Sequence, residues 1–253
     1  MNRALIALLL ALCSVPSLTQ TPDDYLHSLV GQKLLLRHFG NVTEVKMKLG
    51  DLDHISATCD VAVLVRAAEW KKNKIELHWE ELGTPMIAGK PHPQCPGQMM
   101  GYGRVELGGF APDESAESLA RSLSALLQTP EQYLAAAGIV FDLPPQLLAG
   151  ELKEPEQPFT RPRALLTVNP TFSDAARKAK YQGVLKLRLY VGADGRVYNP
   201  SISQRLGMGL DEMALEVLPL WRLQPARKQD QPVATPMSIE ISFQYLLRIG
   251  LPA

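Results

Sequence analysis

The sequence predicts an α+β fold in two parts: a strand-rich first part ending in helices, and a smaller second part of mixed strands and helices. Three observations carry this. Apolar residues alternate over Val61, Val63 and Val65 and again over Ile75, Leu77 and Trp79, the period of strands with one buried face. They then recur at helical spacing over Ala116, Leu119, Ala120, Leu123, Leu126 and Leu127. A stretch rich in Pro and charge, "AGELKEPEQPFTRPRA" at residues 149–164, separates these from a second run of elements.

In the first part, "LVGQKLLLRHFG" (29–40), "VTEVKMKLG" (42–50), "CDVAVLVRAAEW" (59–70) and "KIELHWEEL" (74–82) read as strands. The polar "KKNK" between the last two suits a hairpin turn. The Gly- and Pro-rich passage at 83–103 reads as a loop. Acidic residues crowd the start of the helix in "APDESAESLARSLSALLQ", where the helix dipole favours them. A second, short helix is marked by Thr129 as cap, Pro130 at the first helical position and Gly138 as stop.

In the second part, Leu185, Leu187, Leu189 and Val191 fall on one face of a strand, and Lys186, Arg188 and Tyr190 on the other. Asp194 and Gly195 form the hairpin turn: the aspartate can bond backbone ahead of it, and the glycine tolerates positive φ. Pro200 cannot donate to a ladder, so the returning strand should lie at an edge or carry a bulge. "GLDEMALEVLPLW" reads as a helix that Pro219 kinks or ends. "ATPMSIEISFQYLL" supplies the last strand, with Met237, Ile239, Ile241 and Phe243 on one face.

The chain of 253 residues has zero formal net charge, so bulk charge points to no nucleic-acid partner. Residues 164–253 carry 11 Lys and Arg against 7 Asp and Glu, and residues 18–163 carry 14 against 19, in keeping with two differently composed domains. The boundaries expected are a signal peptide at 1–17, a strand-rich domain at 25–148, a linker at 149–163 and a second domain at 164–253. The linker, stiffened by Pro155, Pro158 and Pro162, would span at most about 50 Å.

The first twenty residues combine Arg3, an apolar run from Ala4 to Leu12 and small, turn-forming residues, the pattern of a secretory signal, with cleavage expected after Ser17. Retention as a membrane anchor and lipid attachment at Cys13 are the alternatives. Removal of the signal leaves Cys59 and Cys95, an even count that favours a disulfide in an exported chain. "HPQC" sets His92 three residues before Cys95, but two ligands do not make a zinc site, and His78 could join them only through the fold. No metal and no cofactor are therefore expected. No Gly-x-Ser-x-Gly, phosphate loop or His-Glu-x-x-His occurs, and the "GDLDHIS" cluster of Asp51, Asp53 and His54 reads as a solvated turn. No catalytic residue is assigned; enzyme activity in the first domain stays as an alternative.

"NPTFSDAARKAKYQGVLKLRLYVGADGRV", "GLDEMALEVLPLWRLQPA" and "PVATPMSIEISF", taken in that order, resemble the carboxy-terminal domain of the TonB family of periplasmic energy transducers. The resemblance covers about 80 residues. It implies a three-stranded antiparallel sheet with helices on one face, no catalytic chemistry, and capture of an extended peptide from an outer-membrane transporter by strand addition. Carried onto this sequence, it places peptide binding at Asn169, Pro170 and Phe172 before the first helix. It places the docking edge along Met237, Ile239, Ile241, Phe243 and Tyr245. The sequence departs from the family at Phe172-Ser173, where Tyr-Pro is usual, and in its short linker and histidine-free apolar start. The expectation is a periplasmic protein- or peptide-binding protein linked to outer-membrane transport. The alternative is a membrane-anchored transducer that drives uptake.

Overall fold

The computed structural model describes residues 20–40, 44–48, 51, 59–91, 101–141, 143, 155–156 and 158–244. The chain divides into two compact units, one of residues 1–85 and 91–141, the other of residues 86–90 and 142–253.

Among the described residues the first element of the first unit is a helix, α1 (Pro22–Leu29), in a stretch to which the sequence reading assigns no element before Leu29. Its signal lies in "TPDD": Thr21 caps the helix, Pro22 opens it, and Thr21 and Asp24 close a capping box with bonds of 3.1 and 3.2 Å. Tyr25, Leu26 and Leu29 are buried. Gly31, at φ 83°, turns the chain into β1 (Lys33–Gly40), so that strand starts later than its hydrophobicity implied. β2 (Glu44–Lys48), β3 (Cys59–Lys71) and β4 (Lys74–Ile87) follow.

β3 and β4 pair antiparallel around a two-residue turn at Lys72 and Asn73. Both have positive φ, the geometry whose twist matches that of the flanking strands. The passage read as a loop contains the end of β4, the short β5 (Lys90–Pro91) and the first two residues of β6 (Tyr102–Gly108). β6 pairs antiparallel with β4 and parallel with β2. Glycine and proline mask these strands in the sequence, yet Val105 and Leu107 alternate into the core.

Helix α2 (Ala116–Leu123), capped by Ser115, stops before Leu126. Leu127 and Gln128 form β7 instead and pair with β1. α3 (Pro130–Ala136) has the cap expected at Thr129, and Gln132 closes it into a capping box. The core joins Leu34, Leu36, Val61, Val63, Val65, Ile75, Leu77 and Trp79 to Leu26, Leu29, Leu119 and Leu123 of the helices. Burying each such side chain contributes about 1.5–3 kcal/mol.

The second unit contains β8 (Arg163–Pro170), α4 (Asp174–Ala179), β9 (Gly183–Val191), β10 (Val197–Gln204), α5 (Leu210–Val217), β11 (Arg222–Gln224), β12 (Ala226–Lys228), β13 (Gln231–Val233) and β14 (Thr235–Phe243). β8 pairs with β11, and Ala88 N donates to Leu165 O at 3.0 Å. β10, β9 and β14 form a three-stranded antiparallel sheet in that order. Leu185, Leu187, Leu189 and Val191 of β9 pack against Ala176 of α4 and Leu210, Ala214 and Leu218 of the α5 region. The helices therefore cover one face of the sheet and leave the other to solvent. α5 ends at Val217, and Pro219 sits in the 3-10 turn Leu218–Leu220 that follows, as its missing donor requires. β12 and β13 make a small hairpin, which Thr160 joins through Arg227.

Candidate functional site

The motif residues of the second unit turn out to be braces. Asp194 is 3% exposed. Its Oδ1 accepts from Arg196 N at 3.1 Å, its Oδ2 accepts from the Tyr198 hydroxyl, and Arg196 Nη1 lies 3.5 Å away. A Cβ on Gly192 would stand 2.3 Å from Asp194 Oδ1 and 2.7 Å from Tyr198 Cε2, so only glycine lets the turn close this tightly. Gly195, at φ 72°, completes the turn, and its carbonyl accepts from Leu223 N at 2.8 Å. Arg196 Nη1 also donates to Leu143 O at 2.9 Å.

Asp211, again 3% exposed, accepts from Leu206 N at 2.8 Å and Gly207 N at 3.2 Å, which fixes the loop into α5. Trp221 Nε1 donates to Val168 O at 3.2 Å. Buried Arg222 donates from Nη1 to the Pro219 and Trp221 carbonyls at 2.9 and 2.8 Å. A buried carboxylate with backbone donors is satisfied without water, so these residues brace the sheet and helices.

What they hold in place is a sheet with two unlike edges. β10 is irregular: its register with β9 shifts between Tyr198 and Ser201 and again between Ile202 and Gln204, Asn199 sits at φ 45°, and Pro200 is exposed. Bulges and proline blunt an edge against further pairing. β14 runs in unbroken register with β9 for nine residues, Thr235 opposite Val191 through Phe243 opposite Gly183. Among the described residues no strand pairs with its other side. In an antiparallel strand alternate N–H and C=O groups point away from the partner, so beyond Pro236, which has no N–H, this edge offers a row of backbone donors and acceptors.

The two faces of β14 differ. Ser238, Glu240 and Ser242 are exposed, and Glu240 Oε1 lies 3.0 Å from Lys186 Nζ on β9. On the inner face Ile241 and Phe243 are buried, whereas Met237 and Ile239 are only half-buried. The difference comes from Phe172, whose ring meets that of Phe243 edge-to-face at 5.5 Å and 77°. Toward Met237 the apolar layer is left partly open.

Each expected site residue can now be placed. Met237, Ile239, Ile241 and Phe243 share the inner face of the edge strand, and Phe172 packs with them. Asn169 and Pro170 end β8, exposed and half-buried respectively. Tyr245 lies outside the described residues, as do Cys95, His92, Asp53, His54 and the segment 1–17. Cys59 is buried and is not a free thiol. His78 lies on β4, with Nε2 3.0 Å from Glu76 Oε1. Among the described residues no three His, Cys, Asp or Glu side chains gather as metal ligands, and no helix is long and apolar enough to cross a membrane.

The first unit holds a buried polar cluster around Asp60 that sequence reasoning missed. Asp60 accepts from the Tyr133 hydroxyl at 2.8 Å and from His38 N at 3.0 Å, with Arg37 3.9 Å away. Burial, reinforced by the Asp60 charge and hydrogen bond, pushes the Tyr133 phenol above its usual range. His38 stands at φ 70° within the irregular part of β1, so the carboxylate stabilises a strained backbone and ties α3 to the sheet. An aspartate beside a run of valines was the available signal.

Comparison with known proteins gives one finding. Residues 168–245 match the family model for the Gram-negative bacterial TonB protein C-terminal, so this part of the chain is a TonB C-terminal domain. That family is a non-enzymatic, transport-related domain. No curated protein matches the chain.

Proposed function

We propose that the chain is an exported, periplasmic protein whose TonB C-terminal domain captures an extended segment of a partner by adding it to β14, in a role linked to outer-membrane transport. The observation that carries this reading is the contrast between the sheet edges. Among the described residues the outer side of β14, nine residues in regular register with Pro236 only at its start, is left unpaired, while the opposite edge is twice bulged and bears Pro200 in mid-strand. A protein with no use for an open edge gains by blunting both, because a long regular edge invites aggregation. The half-buried Met237 and Ile239 give an incoming strand apolar surface to cover, so side-chain burial adds to backbone pairing.

Export and pairing of Cys59 with Cys95 belong to the same proposal, since a disulfide persists outside the reducing cytoplasm. The test is photo-crosslinking in cells from a reactive residue placed at Glu240, which is exposed on β14. Adducts with outer-membrane transport proteins are expected from that position and not from Ser203 on β10. Equal labelling from both positions, or no outer-membrane adduct, would overturn the proposal. Salt washing of membranes separates a released periplasmic chain from an anchored transducer.

A further inference from the structure

The outer face of the three-stranded sheet carries an asymmetric charge. Lys186 and Glu240 stand opposite one another on β9 and β14 and neutralise each other at 3.0 Å. One step along, Arg188 has Ser238 opposite it on β14 and Ser201 opposite it on β10. Arg188 is exposed, and among the described residues its side chain has no acidic partner. Ser201 Oγ reaches only the Arg188 carbonyl, at 3.3 Å. A strand added beyond β14 would lie about 10 Å from β9, two strand spacings away. The serine at 238 is short enough for an arginine to extend across it. At Glu240 the way is occupied by an ion pair whose outermost group is a carboxylate.

Resting on the strand-addition reading above, we infer that Arg188 selects the sequence of the captured strand. The segment that docks has an acidic residue on its outer face over Ser238. It has an apolar residue next in line, facing inward over Ile239, and a neutral or basic residue over Glu240. The inner position follows from the half-buried Ile239, which an apolar side chain would cover. Toward Phe243 the inner layer is already filled by Phe172. The outer positions follow from charge. A guanidinium forks to a carboxylate in bidentate fashion, and Glu240 repels one. The surplus of cations in residues 164–253 favours an acidic segment in the same direction.

The experiment uses the full chain and synthetic eight-residue peptides that alternate valine and threonine, one central threonine being replaced by glutamate, glutamine or lysine. Binding is read by fluorescence anisotropy. The pairing is exposed to solvent, so the glutamate peptide should bind about threefold more tightly than the glutamine peptide, and the lysine peptide more weakly than either. The preference should fade in high salt. In the Arg188→Gln variant the ratio between glutamate and glutamine peptides should fall to one, whereas Lys178→Gln, on the exposed side of α4, should keep it. A preference that survives Arg188→Gln overturns the inference. So does equal binding of all three peptides by the unaltered chain, which would leave strand addition standing. Failure of every peptide to bind would sink strand addition itself, and the selectivity with it.

Discussion

Single buried polar groups decide how rigidly the two units hold their shape. Asp194 serves the Arg196 amide, the Tyr198 hydroxyl and the Arg196 guanidinium at once, so Asp194→Ala leaves several donors without an acceptor. The expected loss is about 2–3 kcal/mol, since hydrogen bonds to charged groups are among the stronger ones. It should be read as faster amide exchange throughout β9. In the first unit the corresponding group is Tyr133. Its folded-state pKa is raised, so its contribution is fully present below the unfolded value of about 10 and is lost as pH rises beyond it. Stability measured by urea unfolding should therefore fall above about pH 10, and Tyr133→Phe should flatten that fall while lowering stability at neutral pH.

The edge strand is the element on which the proposed function rests, and its inner face can be challenged without emptying the core. Ile239 is half-buried, so Ile239→Lys should cost about 1–2 kcal/mol of stability but reduce binding of a partner strand at least tenfold, because an inward-pointing charge is how natural edges repel pairing. Isothermal titration with the valine–threonine–glutamate peptide checks this. Unchanged affinity would place docking elsewhere.

The elements also show which signals a sequence carries openly. The β9 alternation, the Asp194-Gly195 turn, the stop at Pro219 and the inner face of β14 were all legible, because each depends on residues close together in the chain. The helix α1 escapes a reading by alternation because its signal, the capping box in "TPDD", lies between the expected signal peptide and the first alternating run. β6 was missed because its glycines read as loop, and its strand character comes from pairing with both β4 and β2. Leu126 and Leu127 continued a helical spacing but were drawn into pairing with β1. At the site, the inner face was legible, while the packing of Phe172 on Phe243 and the placing of Arg188 opposite Ser238 and Ser201 depend on cross-strand register that no local pattern displays.

At the scale of the molecule, a domain of a transport-related family is joined to a strand-rich unit with its own core and its own buried polar brace. The proposed link between Cys59 and Cys95 would close a loop of about 37 residues and contribute about 3–4 kcal/mol by restricting the unfolded chain. A non-reduced digest analysed by mass spectrometry should contain the two cysteines in one linked fragment, and a free Cys95 would rule the bridge out. The central claim concerns the open side of β14, and amide hydrogen exchange of that strand in the free chain tests it most directly. Alternate amides, those facing β9, should be protected, while the ones between them exchange almost as fast as in an unstructured peptide and become protected when a partner strand is added. Uniform protection of β14 in the free chain would mean that the edge is already taken, and would contradict the account.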